Sequence, residues 1–284
     1  MADLTVGALT LNILGQVQGR QKGTTTTLTA GISAVDVTIP VQTDARIIQG
    51  QTIGVGLEKM EVTAYNSTTG AATVVRGTDG TTPAIATSGD IVYVAWRWFP
   101  SDVQNEIEKE IRSWDYELFR VQNVDVATID STRTYSLAVT DFRYMLLLEY
   151  EDLTTPLELG VGAATVRQNS TGLVLRFNCA PYTSRLTMMY AGSFDLTGFA
   201  DTETWANIGV PDGYHDIIQY GVNARLLAMR EPSRSSTGTQ PDPVKAETIR
   251  ILDTARQAQF LRQMADVRIE QEIGRLRQDW PVRF

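Results

Sequence analysis

The chain has 284 residues, 43% of them hydrophobic, and a formal net charge of −8 from 25 basic and 33 acidic side chains. That is enough apolar material for about two or three domains with cores, while the acidic balance lacks the footprint of a protein that grips nucleic acid by neutralising phosphates. No apolar run approaches the roughly 20 residues needed to cross a membrane, Met1-Ala2-Asp3-Leu4 lacks the basic n-region of a secretory signal, and a single cysteine, Cys179, precludes an intrachain disulfide, in keeping with folding in a reducing cytoplasm.

Taken in order, residues 1–23 read as either a strand or an arm, because Leu4, Val6, Leu9, Leu11 and Ile13 alternate weakly before a polar, glycine-bearing stretch. Residues 24–98 read as all-β. A threonine run opens them, and Thr suits a pleated surface. Val35/Val37/Ile39 and Ile53/Val55/Leu57 then alternate with polar residues. Turns follow at Tyr65–Gly70 and at Gly77–Gly80, where glycine supplies positive φ.

Phe99-Pro100-Ser101-Asp102-Val103-Gln104 predicts a helix start, with Ser101 as N-cap and Gln104 completing a capping box. Val103, Ile107, Ile111, Trp114, Leu118 and Val121 make one amphipathic stripe over 101–121, with Glu106, Glu108 and Glu110 off it. Residues 122–200 return to β, with about six short strands at regular spacing, which argues for a sandwich. Phe194–Ala206 reads as a link.

Pro211 suits a first helical turn, and Tyr214, Ile217, Ile218, Gly221, Ala224 and Ala228 place one apolar face on a helix over 211–229. A Pro/Ser/Thr/Gly break covers 231–241. Asp242-Pro243 then reads as an N-cap with proline at the first helical position, opening a helix over 243–280 that Pro281 ends. Residues 242–284 carry 8 basic and 7 acidic groups, the one stretch where the charge is not negative. Arg275, Arg277 and Arg283 lie beside Trp280 and Phe284, and arginine with aromatics is the composition of interface residues.

The chemistry of an active site is missing from this pattern. His215 is the only histidine, so a zinc site with several histidines is impossible within one chain, and its place at a helix start fits a capping or interface role. No phosphate-binding P-loop occurs. Glu149, Glu151 and Asp152 read as a solvated loop, Cys179 and Met188-Met189 as core. We therefore expect no enzyme, with no catalytic, cofactor-binding or metal residues.

The helix opening VPDGYHDIIQYGVNARLL (Val210–Leu227), its polar break and the charged helix after it resemble the head–tail adaptor, or connector, proteins of tailed bacteriophages. The order of Glu58-Lys59-Met60-Glu61-Val62-Thr63, a turn, and Val74-Val75-Arg76-Gly77-Thr78-Asp79-Gly80-Thr81 is similar to a small β module of phage head and tail proteins, though any small barrel with glycine turns shares it. The resemblance implies an α+β chain with a helical bundle body (99–121 and 201–284) split by an inserted β-sandwich (122–200) and preceded by an N-terminal β module (1–98). It further implies a structural virion protein, assembled in the host cytoplasm, forming a dodecameric ring beneath the portal as part of the DNA conduit. Its partners would be the portal protein, copies of itself, a downstream neck or tail protein, and double-stranded DNA passing without specific binding, with no membrane. Arg275, Arg277, Trp280, Arg283 and Phe284 are the candidate portal or neighbour interface. Two other readings stand beside it: a trimeric tail-associated adhesin working through its β domains, and a hydrolase with a β accessory domain.

Overall fold

The computed structural model describes residues 5–18, 23–43, 45–114, 118–128, 132–151, 156–159, 164–169, 172–178, 184–197, 199–229 and 243–280. The chain divides into two compact units. The first comprises Met1–Glu110, Gly198–Trp205 and Gly213–Ala265, and the second Ile111–Thr197, Ala206–Asp212 and Asp266–Phe284.

The first unit opens on a helix, α1 (Val6–Val17), where the sequence predicts a strand or an arm. Its buried residues Val6, Leu9, Thr10, Ile13, Leu14 and Val17 keep three- and four-residue steps, and Leu11 is left in water. The Thr5 hydroxyl caps the helix by accepting the Ala8 N–H at 3.2 Å. The Val6 and Gly7 amides donate to the carbonyls of Glu203 (3.0 Å) and Asp201 (2.8 Å). A Cβ at position 7 would stand 2.8 Å from that Asp201 oxygen, which is why glycine is needed there.

Six antiparallel strands follow: β1 (Thr24–Thr27), β2 (Thr38–Pro40), β3 (Thr52–Val55), β4 (Glu58–Asn66), β5 (Ala71–Val75) and β6 (Ile91–Val94), in the order β1-β6-β3-β4-β5-β2. The two ends of that order meet. Leu28 bridges Val41, the Thr29 N–H donates to the Pro40 carbonyl at 3.0 Å, and the Gln42 N–H donates to the Thr27 carbonyl at 3.2 Å. The sheet thus closes into a small barrel, which removes exposed strand edges. Leu28, Ile39, Ile53, Met60, Val62 and Val92 fill it.

Helix α2 (Pro100–Ser113) starts one step earlier than its sequence predicts. Asp102, not Gln104, accepts the Phe99 N–H, at 2.9 Å, which is one half of a capping box; Phe99 has no side-chain acceptor for the other half. Gln104 instead donates to the Phe199 carbonyl at 3.0 Å. The predicted helix to 121 stops at Ser113, and Leu118 and Phe119 are buried outside it. After a short helix α3 (Trp205–Ile208) and a 3₁₀ turn at Asp212–Tyr214, α4 (His215–Ala228) packs on α1. Ile217, Ile218, Val222, Leu226 and even Asn223 are buried, so α4 is enclosed on more than one face. Asn223 Nδ2 donates to Gln16 Oε1 at 2.6 Å. Helix α5 (Pro243–Asp279) runs 37 residues, close to the predicted span.

The expected helical bundle body is corrected by this arrangement. Among the described residues helix and strand occupy comparable shares, in an α+β mix with three antiparallel sheets, and no helical bundle body is seen. The physical reason lies in α4. Its apolar surface exceeds one stripe, and part of it is covered by α1, a helix read from sequence as a strand or arm.

The second unit is a two-layer sandwich. β7 (Arg120–Thr128), β9 (Phe142–Glu151), β10 (Pro156–Leu159) and β13 (Ser184–Gly192) form one antiparallel sheet in the order β10-β9-β13-β7. β8 (Thr134–Leu137), β11 (Ala164–Asn169) and β12 (Gly172–Phe177) form the other, in the order β11-β12-β8. Leu148, Leu186 and Met188 of the first meet Leu137, Leu175 and Phe177 of the second in one core. Glu149 and Glu151 sit in the ladder of β9, not in a loop, and Asp152 and Cys179 lie outside the described residues.

Candidate assembly sites

The first polar cluster closes the end of the barrel. β4 and β5 are antiparallel, and their pairing brings Glu58 beside Arg76, with side chains 1% and 6% exposed. The guanidinium fork meets the carboxylate through two bonds, Nε to Oε1 and Nη2 to Oε2, each 2.6 Å. The Gly77 and Ala84 amides donate to the same carboxylate at 3.1 and 2.9 Å. Arg76 spends its other N–H groups on the carbonyls of Ser33, Asp36 and Ala84, each at 2.8 Å. Burial pushes the Glu58 carboxyl up, but Arg76 and the two amides more than reverse this and hold it below the ordinary 4.5. This is a loop fastener with its bonding capacity used internally. Beside it Lys59 Nζ reaches Asp102 at 2.5 Å, tying β4 to the start of α2.

The second cluster joins three helices. Glu110 of α2 is fully buried and accepts from Arg225 Nε of α4 at 2.7 Å and from Arg262 Nη1 of α5 at 3.0 and 3.2 Å. Gly221 of α4 lies directly against it, and a Cβ there would fall 2.4 Å from the Glu110 carboxylate. The small residue at 221 therefore makes room for a buried charge on the neighbouring helix α2.

The third lies in the sandwich unit. The Tyr190 hydroxyl donates to Gln122 Oε1 and approaches Asp141 Oδ1 at 3.3 Å, Gln122 Nε2 donates to Asp141 Oδ2 at 2.9 Å, and Arg120 Nη2 pairs with Asp141 at 3.2 Å. These groups line a cleft of about 570 Å³, beside two irregularities in the β13–β9 register. Burial, and then the Asp141 charge, push the Tyr190 hydroxyl up to about 12, so it stays a neutral donor. Such a cluster orients side chains through its shared hydrogen bonds.

The candidate interface residues fall as follows. Arg275 is exposed on α5 and pairs with Glu272 at 3.2 Å. Arg277 is exposed, and its charge reaches Tyr144. Trp280 follows the last helical turn, half-buried, its N–H donating to the Leu276 carbonyl at 2.8 Å. Arg283 and Phe284 lie outside the described residues. His215 opens α4 with its ring 5.0 Å from that of Trp205. Among the described residues no group of three or more His, Cys, Asp or Glu side chains could hold a metal ion, and no helix is long and apolar enough to cross a membrane.

Sequence reasoning missed Glu110, Glu58 and Arg76 as organising residues. Glu110 stands off the apolar stripe of α2, which reads as a solvated position. Arg76 carried a signal, standing in the middle of the Val-Val-Arg-Gly-Thr-Asp-Gly-Thr run.

No family model matches the chain, and no curated protein matches it. Among solved structures the chain is similar to one from a structure described as "Neck of empty GTA particle computed with C6 symmetry", at 8% identity over 50% of this chain and 72% of that one, with a TM-score of 0.24.

Proposed function

We propose that this chain is a structural neck protein of a tailed-phage-type particle. It acts as a head-to-tail adaptor that forms a ring of its own copies beneath the portal and receives the next neck or tail component. One observation carries this reading: the adaptor-like Val210–Leu227 stretch folds as the enclosed α4, and the helix after the polar break runs 37 residues with large apolar side chains in water. Phe260 and Val267 are both exposed and seven residues apart, hence on one face. Exposed apolar groups lined along one face mark an interaction surface. At about 1.5 Å per residue α5 spans roughly 55 Å, long enough to meet more than one neighbour. The end of α5 from Arg275, with the sequence that follows it to Phe284, is the contact to the portal or to the neighbouring copy. The acidic net charge suits a wall past which DNA moves without being held. In this role the protein is no enzyme and needs no cofactor.

The test is reconstitution with the portal protein of the same source, followed by imaging and native mass measurement. A closed ring of this chain on the portal is expected, and removal of 275–284 should leave a folded protein that no longer joins it. A stable trimer that ignores the portal overturns the neck reading in favour of the adhesin. Complexes that form without 275–284 overturn the assignment of the helix end.

A further inference from the structure

The barrel unit carries a groove with Glu58 and Ala84 of the first cluster in part of its wall. Two cavities of about 440 and 270 Å³ share Gly56, Leu57, Asp90 and Asp201 in their walls and so run into one another between α1 and the barrel. Leu11 of α1, Ile85 and Ile91 stand on its walls, 52%, 78% and 51% exposed. Three branched aliphatic side chains left in water at one place are an interaction surface by default, since polar residues there would cost the core nothing.

Asp90 and Asp201 are in the walls of both cavities. Asp90 accepts from the Thr87 amide at 2.7 Å and the Thr87 hydroxyl at 3.1 Å, and keeps its charge unpaired by any cation among the described residues. Asp201 uses its main-chain carbonyl, toward Gly7, and its carboxylate has no ion pair among the described residues. No lysine or arginine is among the described residues lining either cavity. Glu58, also in the wall of the second cavity, is already neutralised by Arg76. A purely apolar occupant would dry two carboxylates without pairing them, a cost of several kcal/mol by the usual desolvation penalty, so a cation must come with it. The fitting ligand is a short extended segment with one cation between bulky apolar side chains.

Several runs of this chain pair arginine with aromatics. Two that set it between aromatic rings are built into the fold. In Trp96-Arg97-Trp98-Phe99, Trp96 Nε1 donates to the Thr24 carbonyl at 3.0 Å, Arg97 lies over the Trp98 ring, and Phe99 is buried. In Phe142-Arg143-Tyr144 of β9, Arg143 Nη1 donates to the Leu118 carbonyl at 3.1 Å. A further run is Trp280-Pro281-Val282-Arg283-Phe284, where Arg283 stands between two apolar residues and proline bars continuation of a helix. We infer that the groove between α1 and the barrel receives Trp280–Phe284 of a second copy, with Arg283 on Asp90 and Asp201 and the flanking side chains on Leu57, Ile91 and Tyr93. This rests on the reading that copies join through the end of α5, and it names the receptor for that end.

The test needs neither ring nor portal, so its failure is separable from failure of the neck reading. A labelled, amidated peptide of residues 278–284 is titrated into the purified full-length protein. Saturable binding is expected. It should weaken about tenfold, the usual worth of one paired charge, with Arg283→Glu in the peptide or Asp201→Asn in the protein, and recover when the Arg283→Glu peptide meets Asp201→Arg. Ile85→Glu, at an exposed rim position that leaves the core alone, should weaken it too. A photoreactive group in place of the Phe284 ring should label Leu57, Ile91 or Tyr93. Absence of binding, indifference to both Asp201→Asn and Ile85→Glu, or labelling elsewhere overturns the assignment.

Discussion

Glu58 and Glu110 are both buried carboxylates held by arginine, and they fasten quite different things. Glu58 finds its cation 18 residues away, across one strand pair, and shares it with main-chain groups of the loops it closes. Glu110 finds its cations 115 and 152 residues away, on two other helices. The partners differ in wetness as well. The Arg76 side chain is 6% exposed, whereas Arg225 and Arg262 are 30% and 42% exposed. A fault in the barrel cluster traps a charge with nowhere to go. A fault in the helix junction leaves cations that can turn to water. Local clusters of this kind are therefore brittle, and long-range ones give way gradually.

The largest effect should come from Arg76→Met. It strands the Glu58 carboxylate and leaves three carbonyls without their donor, so denaturant unfolding of the barrel unit should lose about 3–5 kcal/mol or more. A loss under about 1 kcal/mol would break the comparison at its strongest point. Glu110→Ala comes next. Because its arginines are partly in water, the loss should be smaller, about 1–3 kcal/mol. Arg225→Met and Arg262→Met, each combined with Glu110→Ala, should show non-additive losses. Gly221→Ala forces a methyl group against the same carboxylate and should cost about 1–3 kcal/mol, a cost that Glu110→Ala in the same chain should largely remove.

The smallest effect is on pH dependence. Glu58 titrates lower folded than unfolded, so its share of stability is present above about pH 4.5, its ordinary value, and is lost as pH falls through the depressed folded value. Unfolding midpoints followed from pH 6 down to pH 3 should therefore fall more steeply in the parent than in Glu58→Gln. Parallel curves would mean that the carboxylate is not the acid-sensitive part of the barrel.

How much of this was legible beforehand depends on how local the cause is. The barrel strands and their glycine turns show in the alternation around Val55 and Val62, and α5 shows from Asp242-Pro243 onward. The capping of α2 lay within three residues of its predicted position, with Asp102 doing the work assigned to Gln104. The α1 helix was hidden because Leu9, Leu11 and Ile13 fit a period of two as well as Leu9, Ile13 and Leu14 fit the helical one. Only burial of Leu14 and exposure of Leu11 separate them. The groove was invisible, since Leu11, the Ile85/Ile91 pair and Asp201 come from three distant stretches.

What the amino-acid order determined by itself was a set of features whose interactions close within a few residues: the glycine turns, the strand alternation and the long terminal helix. Tertiary structure alone decided that the strands close into a barrel, that α1 covers α4 where a bundle was expected, and that a glutamate off the apolar stripe becomes the knot of three helices. The reason is physical: a charge reads as solvated until the chain brings its counter-charges to it, and those stand more than a hundred residues away.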